Sequence, residues 1–430
     1  MIRRSLTFKV FTAAWLVAVF ALATFSMPYY LFRAPGMDFE FRVDEVEAVV
    51  SGVDPYDYFS LKKPSEEYFP IDRYDLRTEK RCKPIHAYPP WSYTYMLPFA
   101  TNGSLMSKWY VCCAIEFACF LFMLWYAFRR GKRISGCFWD GLFAMAAVLS
   151  IGVVYGPNFG NGNFTYPMCV GLILMAECLS RKRDVLAGIL WGLLMVKPQL
   201  SMLIGIPLLF DRRWKVIATA VLTCLAAGQV SASLIGKPLL SLILQIPEQG
   251  APFYCGSVIL PDIIFERLIG AGIPKSVLMY LNQAVGAGLC AWMAWKVRLS
   301  GSWLVRLVPP LVCASVWTYM NWGDRQLFFI MQIVFAEVCL SAASSRARRF
   351  CGCLIAFVFM SAFRPLDACP VLMSRIGEAI GIHGFYDIVH VVVPPFDRVA
   401  GILAFVAVAV WCVAVPHGIR LGSADGPLNR

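Results

Sequence analysis

Asp38, Glu40, Asp44, Glu45 and Glu47 crowd into one stretch, GMDFEFRVDEVEAVVSGVDPYDYF (residues 36–59), directly after an apolar run long enough to cross a bilayer. A carboxylate held beside a hydroxyl can take its proton as the oxygen attacks, and an unperturbed aspartate, with a pKa of about 3.9, is ionised at neutral pH. Helical spacing sorts the stretch into faces. Phe39, Val43, Val46 and Val50 form an apolar stripe, with Glu40, Asp44 and Glu47 as an acidic stripe beside it. Gly52 ends this helix and Asp54-Pro55 opens a turn. Asp38 stands at the helix start, where its carboxylate either caps the first free N–H groups or serves as a base. The acidic stripe is either a solvated face or the edge of a site. An element of this kind is expected to lie flat at a membrane surface, apolar side down.

Cations able to meet an anionic leaving group are few. Lys197 falls inside the apolar segment Asp184 to Phe210, where a charge is costly, by about 2.5 to 3.5 kcal/mol on insertion scales. It either faces a cavity or pairs with a buried carboxylate. Arg325 stands at the end of an apolar run, and its guanidinium fork suits phosphate oxygens, a local pair with Asp324 being the alternative. Tyr88, Trp91, Tyr93 and Tyr95 line a short proline-led segment, as membrane-interface aromatics or as stacking surfaces for sugar or isoprenoid. Asn161 and Asn163 in GNGN are placed to cap the apolar run that follows or to touch a substrate. No role attaches to His86 or His383.

These residues need an unusual scaffold. The chain is 59% hydrophobic and 15% charged, with a mean hydropathy of +0.63. Those proportions exclude an ordinary soluble globule. A membrane helix needs about 20 apolar residues, and stretches of that kind recur from end to end. The expected fold is therefore all-α: one polytopic transmembrane bundle over residues 1–430, with about 10–12 membrane helices. Crossings are expected near 8–32, 105–128, 136–155, 164–180, 214–235, 274–298, 303–321, 326–343, 350–364 and 398–416, the first being a retained signal anchor. Tyr88 to Ala100 reads as a half-helix dipping from the outer side. Residues 184–210, interrupted at Lys197-Pro198, read as a broken membrane hairpin rising from the inside. Such breaks persist only where protein or water satisfies the freed backbone groups.

The net charge of +12 does not point to nucleic acid. Basic clusters at Arg3-Arg4, Arg129 to Arg133, Arg181 to Arg183, Arg212 to Lys215, Lys296 to Arg306 and Arg346 to Arg349 sit in alternate connections, as cytoplasmic loops do. Both termini then lie inside. The long connections 33–87, 236–273 and 364–397 lie outside, and the first of these carries the interfacial helix. The sixteen cysteines fall mainly within apolar spans, without zinc-like spacing. Cys82, Cys255 and Cys369 face outward in this topology, and a disulfide among them is left open.

The order MDFEFRVDEVEAVVSGVDPYDYF, then HAYPPWSYTYMLPFA, then FGNGNFTYPMCVGLILMAECLSRKRDVLAGILWGLLMVKPQL resembles the GT-C glycosyltransferases. It is most similar to the polyprenyl-phosphate-mannose-dependent group that includes bacterial phosphatidylinositol-mannoside mannosyltransferases and related arabinofuranosyltransferases. The resemblance rests on Asp38-Phe39, Ala48, Gly52-Val53-Asp54-Pro55-Tyr56, Tyr88-Pro89-Pro90, Gly160-Asn161-Gly162-Asn163 (Asn161 replacing the group's Gln), Ala187-Gly188 and Lys197-Pro198. A Trp-x-His element of the group is answered by WTYMNWGDRQLFF, with Asp324 at the histidine position, so that histidine's role does not carry over.

The resemblance implies an integral plasma-membrane glycosyltransferase whose active site faces outward. It implies a polyprenyl-phosphate sugar donor, with mannose the expected sugar, a glycolipid or glycan acceptor, and inversion at the anomeric carbon. By the same resemblance Asp38 is the base. Asp44 is the second carboxylate, as acceptor orienter or metal ligand, and no divalent-metal requirement is implied either way. Two rivals stand beside this expectation. One is a transporter, since broken helices and a buried lysine also mark transport pathways. The other is a catalytically silent relative that only binds lipid-linked sugar.

Overall fold

The computed structural model describes residues 4–31, 37–58, 74–75, 80–81, 88–100, 102–154, 162, 164–250, 267–317, 328–341, 402–403 and 405–412. Among them the protein is helical, apart from a two-residue antiparallel ladder pairing Tyr74–Asp75 with Lys80–Arg81 in the first long connection. Helices Leu105–Ile134, Trp214–Ile235 and Ser276–Val297 are long and apolar enough to cross a bilayer, and shorter apolar helices surround them. Large apolar side chains such as Val111, Ile115, Val221, Leu222 and Tyr280 stand exposed on their outer faces. Lipid, unlike water, tolerates such a surface. The expected all-α polytopic membrane bundle is the fold observed. The expected crossing at 350–364, and Cys82, Cys255, Cys369, His86 and His383, lie outside the described residues.

Buried ion pairs fix which helix ends lie together. We label α1 (Leu6–Leu31), α5 (Leu105–Ser135), α6 (Phe138–Val154), α7 (Thr165–Ser180), α8 (Asp184–Leu194), α10 (Gly205–Phe210), α11 (Trp214–Ile235), α13 (Lys275–Val297), α14 (Trp303–Trp317) and α15 (Phe328–Ser341). Arg4, before α1, donates to both oxygens of Asp140 in the first turn of α6, at 2.7 and 2.6 Å, and to the Leu340 carbonyl near the end of α15. Arg130, late in α5, pairs with Glu337 of α15 and lies 3.9 Å from Glu177 of α7. Glu177 also accepts the Tyr126 hydroxyl at 2.6 Å. Arg213 meets Asp184 at 2.9 Å, and Arg306 meets Asp211. The ends of α5, α7, α10 and α15 therefore gather with the starts of α1, α6, α8, α11 and α14. This is the alternation that the basic clusters predict.

The segment 184–210 is a hairpin. Its two feet are joined by the Asp184–Arg213 pair, and it breaks where expected. Pro198 has no N–H to offer the Leu194 carbonyl, so α8 stops at Leu194. The chain restarts as α9 (Pro198–Ser201), a 3-10 turn (Met202–Ile204) and α10. The ascending leg, α8, packs hard on α11. A Cβ at Gly188 would lie 2.6 Å from Thr219 Cβ, and one at Gly192 would lie 2.7 Å from Thr223 Cβ. Small residues four apart let the two backbones approach, a common device where lipid supplies no hydrophobic drive.

At the opposite end lie α2 (Met37–Val50), α3 (Pro55–Tyr58), α4 (Pro90–Met96) and α12 (Leu239–Gly250). The apolar stripe of α2 does not rest on lipid. Phe39 and Val43 pack on Trp109, Cys112 and Cys113 of α5, while Val46 and Val49 pack on Tyr56, Tyr93, Met96, Ala232 and Ile235. Val50, expected on the stripe, is 47% exposed, and Val49 replaces it. The partner changes from α5 to α4 and α11 along the helix, so the covered face turns with it.

Because half-buried Arg130 faces two carboxylates, Glu337→Ala strips a charge of its main, buried partner. We expect a loss of about 3 kcal/mol in stability, read as a lower unfolding temperature in detergent than the parent shows.

Candidate active site

The GVDPY turn anchors the first loop helix to the bundle. Gly52 takes φ +76°, which a residue with a Cβ rarely adopts, and Asp54 Oδ1 accepts the Tyr56 N–H at 2.9 Å. The other Asp54 oxygen pairs with Lys237 just beyond α11, and the Tyr56 hydroxyl donates to the Tyr88 carbonyl at 2.5 Å. This motif is a clamp: one turn fastens α2 to α11 and to the start of α4.

Two polar residues of α2 face inward. Arg42 forms a two-pronged pair with Glu45, at 2.7 and 2.6 Å, and its guanidinium lies 4.1 Å from the centre of the Tyr88 ring. Glu45 is fully buried. A buried carboxylate this close to an arginine stays tolerable because charge and hydrogen bonds are matched together. The sequence reading missed both residues. Their signal was an i, i+3 opposite-charge pair interleaved with the valines of the stripe, too local to separate a buried pair from a surface one.

The acidic stripe is on the open side. Asp44 and Glu47 are exposed, and Lys108 of α5 pairs with Glu47. Asp44 retains solvent access, yet desolvation by the surrounding protein, then the charges of Glu47 and Glu45, push its carboxyl up to about 6. Lys108 pulls the other way. Among the described residues no group of three or more His, Cys, Asp or Glu is arranged to hold a metal ion.

Asp38 lies in the first turn of α2, and its side chain is outside what is described. Its backbone neighbour is well placed. A Cβ at Gly162, which has φ +74°, would lie 2.8 Å from Phe39 Cα and 3.1 Å from Phe39 N. The second glycine of GNGN is thus pressed against the backbone of the Asp38-Phe39 pair, and only a glycine fits. Asn161, Asn163, Asp324 and Arg325 lie outside the described residues.

Lys197 is buried, 4% exposed, at the hairpin break, with extended backbone (φ −123°, ψ 83°). The expected half-helix at 88–100 is α4 followed by a 3-10 turn, Leu97–Phe99, and it lies against this break. Trp91 Nε1 donates to the Met195 carbonyl at 2.7 Å, Ser92 Oγ to Val196 at 3.1 Å and Tyr95 OH to Gly192 at 3.2 Å. On its other side Thr94 donates to the Ala227 carbonyl of α11 and contacts Ser231. The aromatics of α4 are therefore not a simple interfacial belt. Trp91 spends its one donor on the hairpin, and Tyr88 lies under Arg42.

The fold is that of an all-α polytopic membrane protein, with a loop helix, a half-helix and a hairpin break joined at one end. The model described as glycosyltransferase family 87 matches residues 86–320, more than half of the 430, and the chain belongs to that family. It is a membrane glycosyltransferase. The match covers Tyr88, Trp91, Asn161, Asn163 and Lys197, and it excludes Asp38, Asp44 and Arg325. Membership in a transferase family decides against transport. No curated protein and no solved structure matches the chain.

Gly162→Ala adds a methyl against the Phe39 backbone at a φ that disfavours it. Displacing position 38 by about 1 Å should cost about 10²-fold in transfer rate. The check is sugar transfer by membranes carrying equal amounts of variant and parent protein.

Proposed function

We propose that the protein moves a sugar, with mannose the expected one, from a polyprenyl phosphate to a glycolipid or glycan acceptor at the outer face of the plasma membrane. In this proposal the whole chain works as one membrane unit, and the charged end faces the cytoplasm, as the basic loops require. The contact of Gly162 with Phe39 carries the proposal, because it joins the Asp38-Phe39 and GNGN segments at the end remote from the basic loops.

Asp38 takes the acceptor hydroxyl proton as that oxygen bonds to the anomeric carbon. The bond from that carbon to the phosphate oxygen breaks, its electron pair leaves with the polyprenyl phosphate, and attack from the opposite face inverts the centre. Asp44 orients the acceptor. Lys197, assisted by Arg325, offsets the charge on the departing phosphate, while Asn161, Asn163, Tyr88 and Trp91 shape the cavity. A positioned base contributes on the order of 10² to 10⁴ in rate.

Membranes given labelled polyprenyl-phosphate-mannose and a lipid extract should transfer label to lipid, and Asp38→Asn should lose about 10²-fold or more. Undiminished transfer by that variant removes Asp38 as base. Binding without transfer by the parent identifies a silent relative.

The raised carboxyl of Asp44 sets a pH dependence. It is protonated below about 6, so transfer should fall as pH drops through that value. Lys108→Met removes the charge that lowers it, so this acid limb should move to higher pH, and Asp44→Asn should abolish it. Initial rates between pH 4.5 and 8 decide the matter.

A further inference from the structure

We propose that α4 is a lock on the Lys197 hinge, with Trp91, Ser92 and Tyr95 as positioning residues. This rests on the proposal that Lys197 meets the leaving phosphate.

The proposal starts from carbonyls that a helix break leaves without partners. Pro198 offers no N–H, the Lys197 N–H reaches the Leu194 carbonyl only at 3.4 Å, and the Leu200 N–H turns to Lys197. The Met195 and Val196 carbonyls therefore lie beyond the last regular bond of α8. Inside a lipid-embedded bundle a carbonyl without a donor is strongly unfavourable. Trp91 and Ser92 supply donors to these two, and Tyr95 adds one at Gly192 a turn earlier. The three donors fall within about 100° of one another on α4, at a turn of 3.6 residues. They form one face dedicated to the break.

Two further bonds lie within the hairpin itself. Trp191 Nε1 ties the two legs through the Ser201 carbonyl at 3.0 Å, and Ser201 Oγ reaches back to the Lys197 carbonyl at 3.2 Å. Both bonds lie within the hairpin and would move with it. By its side-chain donors α4 refers the break to the rest of the protein. Thr94 fastens it to α11, and Tyr88 ties it to α2 through Arg42 and Tyr56. Lys197 leaves the chain at a residue with non-helical backbone, so these bonds help set where its side chain starts.

The test uses full-length protein in lipid nanodiscs, with polyprenyl phosphate and the uncharged polyprenol as probes. Trp91→Phe keeps the ring and Ser92→Ala keeps the volume, and each removes one donor. Both should speed amide exchange over residues 195–201 and weaken polyprenyl phosphate binding about tenfold, and Ser92→Ala should leave polyprenol binding unchanged. Ser92→Thr, which keeps the hydroxyl, should retain parent affinity. Unchanged exchange in both variants would overturn the lock, as would equal weakening of the two probes, which marks a general loosening. If exchange rises but Lys197→Met binds polyprenyl phosphate as the parent does, the phosphate role of Lys197 falls and the lock stands.

Discussion

A proline placed inside a membrane hairpin forces the organisation of the end of this bundle remote from its basic connections. Pro198 ends α8 short of a full span and leaves carbonyls at a depth where water is scarce. Other protein must supply the donors, and α4 supplies them from Trp91, Ser92 and Tyr95. The half-helix exists for the same reason. Too short to cross, it is held by Thr94 on α11 and by its contacts with the break. Through Tyr88 it also carries the load of α2, whose Arg42 lies over that ring. A single break in one helix thus accounts for where three segments come to rest.

The far end of the bundle follows a different logic. Its charges serve topology and stability at once, because Arg4, Arg130, Arg213 and Arg306, each in a basic connection, pair with a carboxylate from another part of the bundle. Asp140 and Glu337 are nearly sealed from solvent, so these pairs set the register of α1, α5, α6 and α15 as well as decorating the surface. The opposite end, by contrast, spends charged residues on tethering one loop helix. Lys237 holds Asp54, and Lys108 holds Glu47.

Some of this was legible before any fold was known. The break at Lys197-Pro198 follows from proline chemistry, and the hairpin from basic residues at both of its feet. The burial of Phe39, Val43 and Val46 follows from periodicity. Val49 and Val50 exchanged roles because periodicity assumes one covering surface, whereas α2 meets two. Trp91 reads as an interfacial aromatic when only its neighbours along the chain are considered, since its acceptor at Met195 is a hundred residues away. Arg42 and Glu45 escape a sequence reading for a like reason: i, i+3 spacing is shared by buried and exposed pairs alike.

Composition and periodicity alone determined that this chain is an all-α membrane bundle. They also determined which of its loops are basic and where its helices must break. Those properties are local, resting on the transfer cost of each side chain and the hydrogen bonds of each peptide group. Tertiary structure alone decided that the GNGN glycine meets the Asp38-Phe39 backbone, that the Asp54 turn clasps Lys237, and that α4 completes the hydrogen bonds of the hairpin break. Each of these joins residues far apart in the chain, and it is packing in three dimensions that selects one partner among the many that local chemistry would allow.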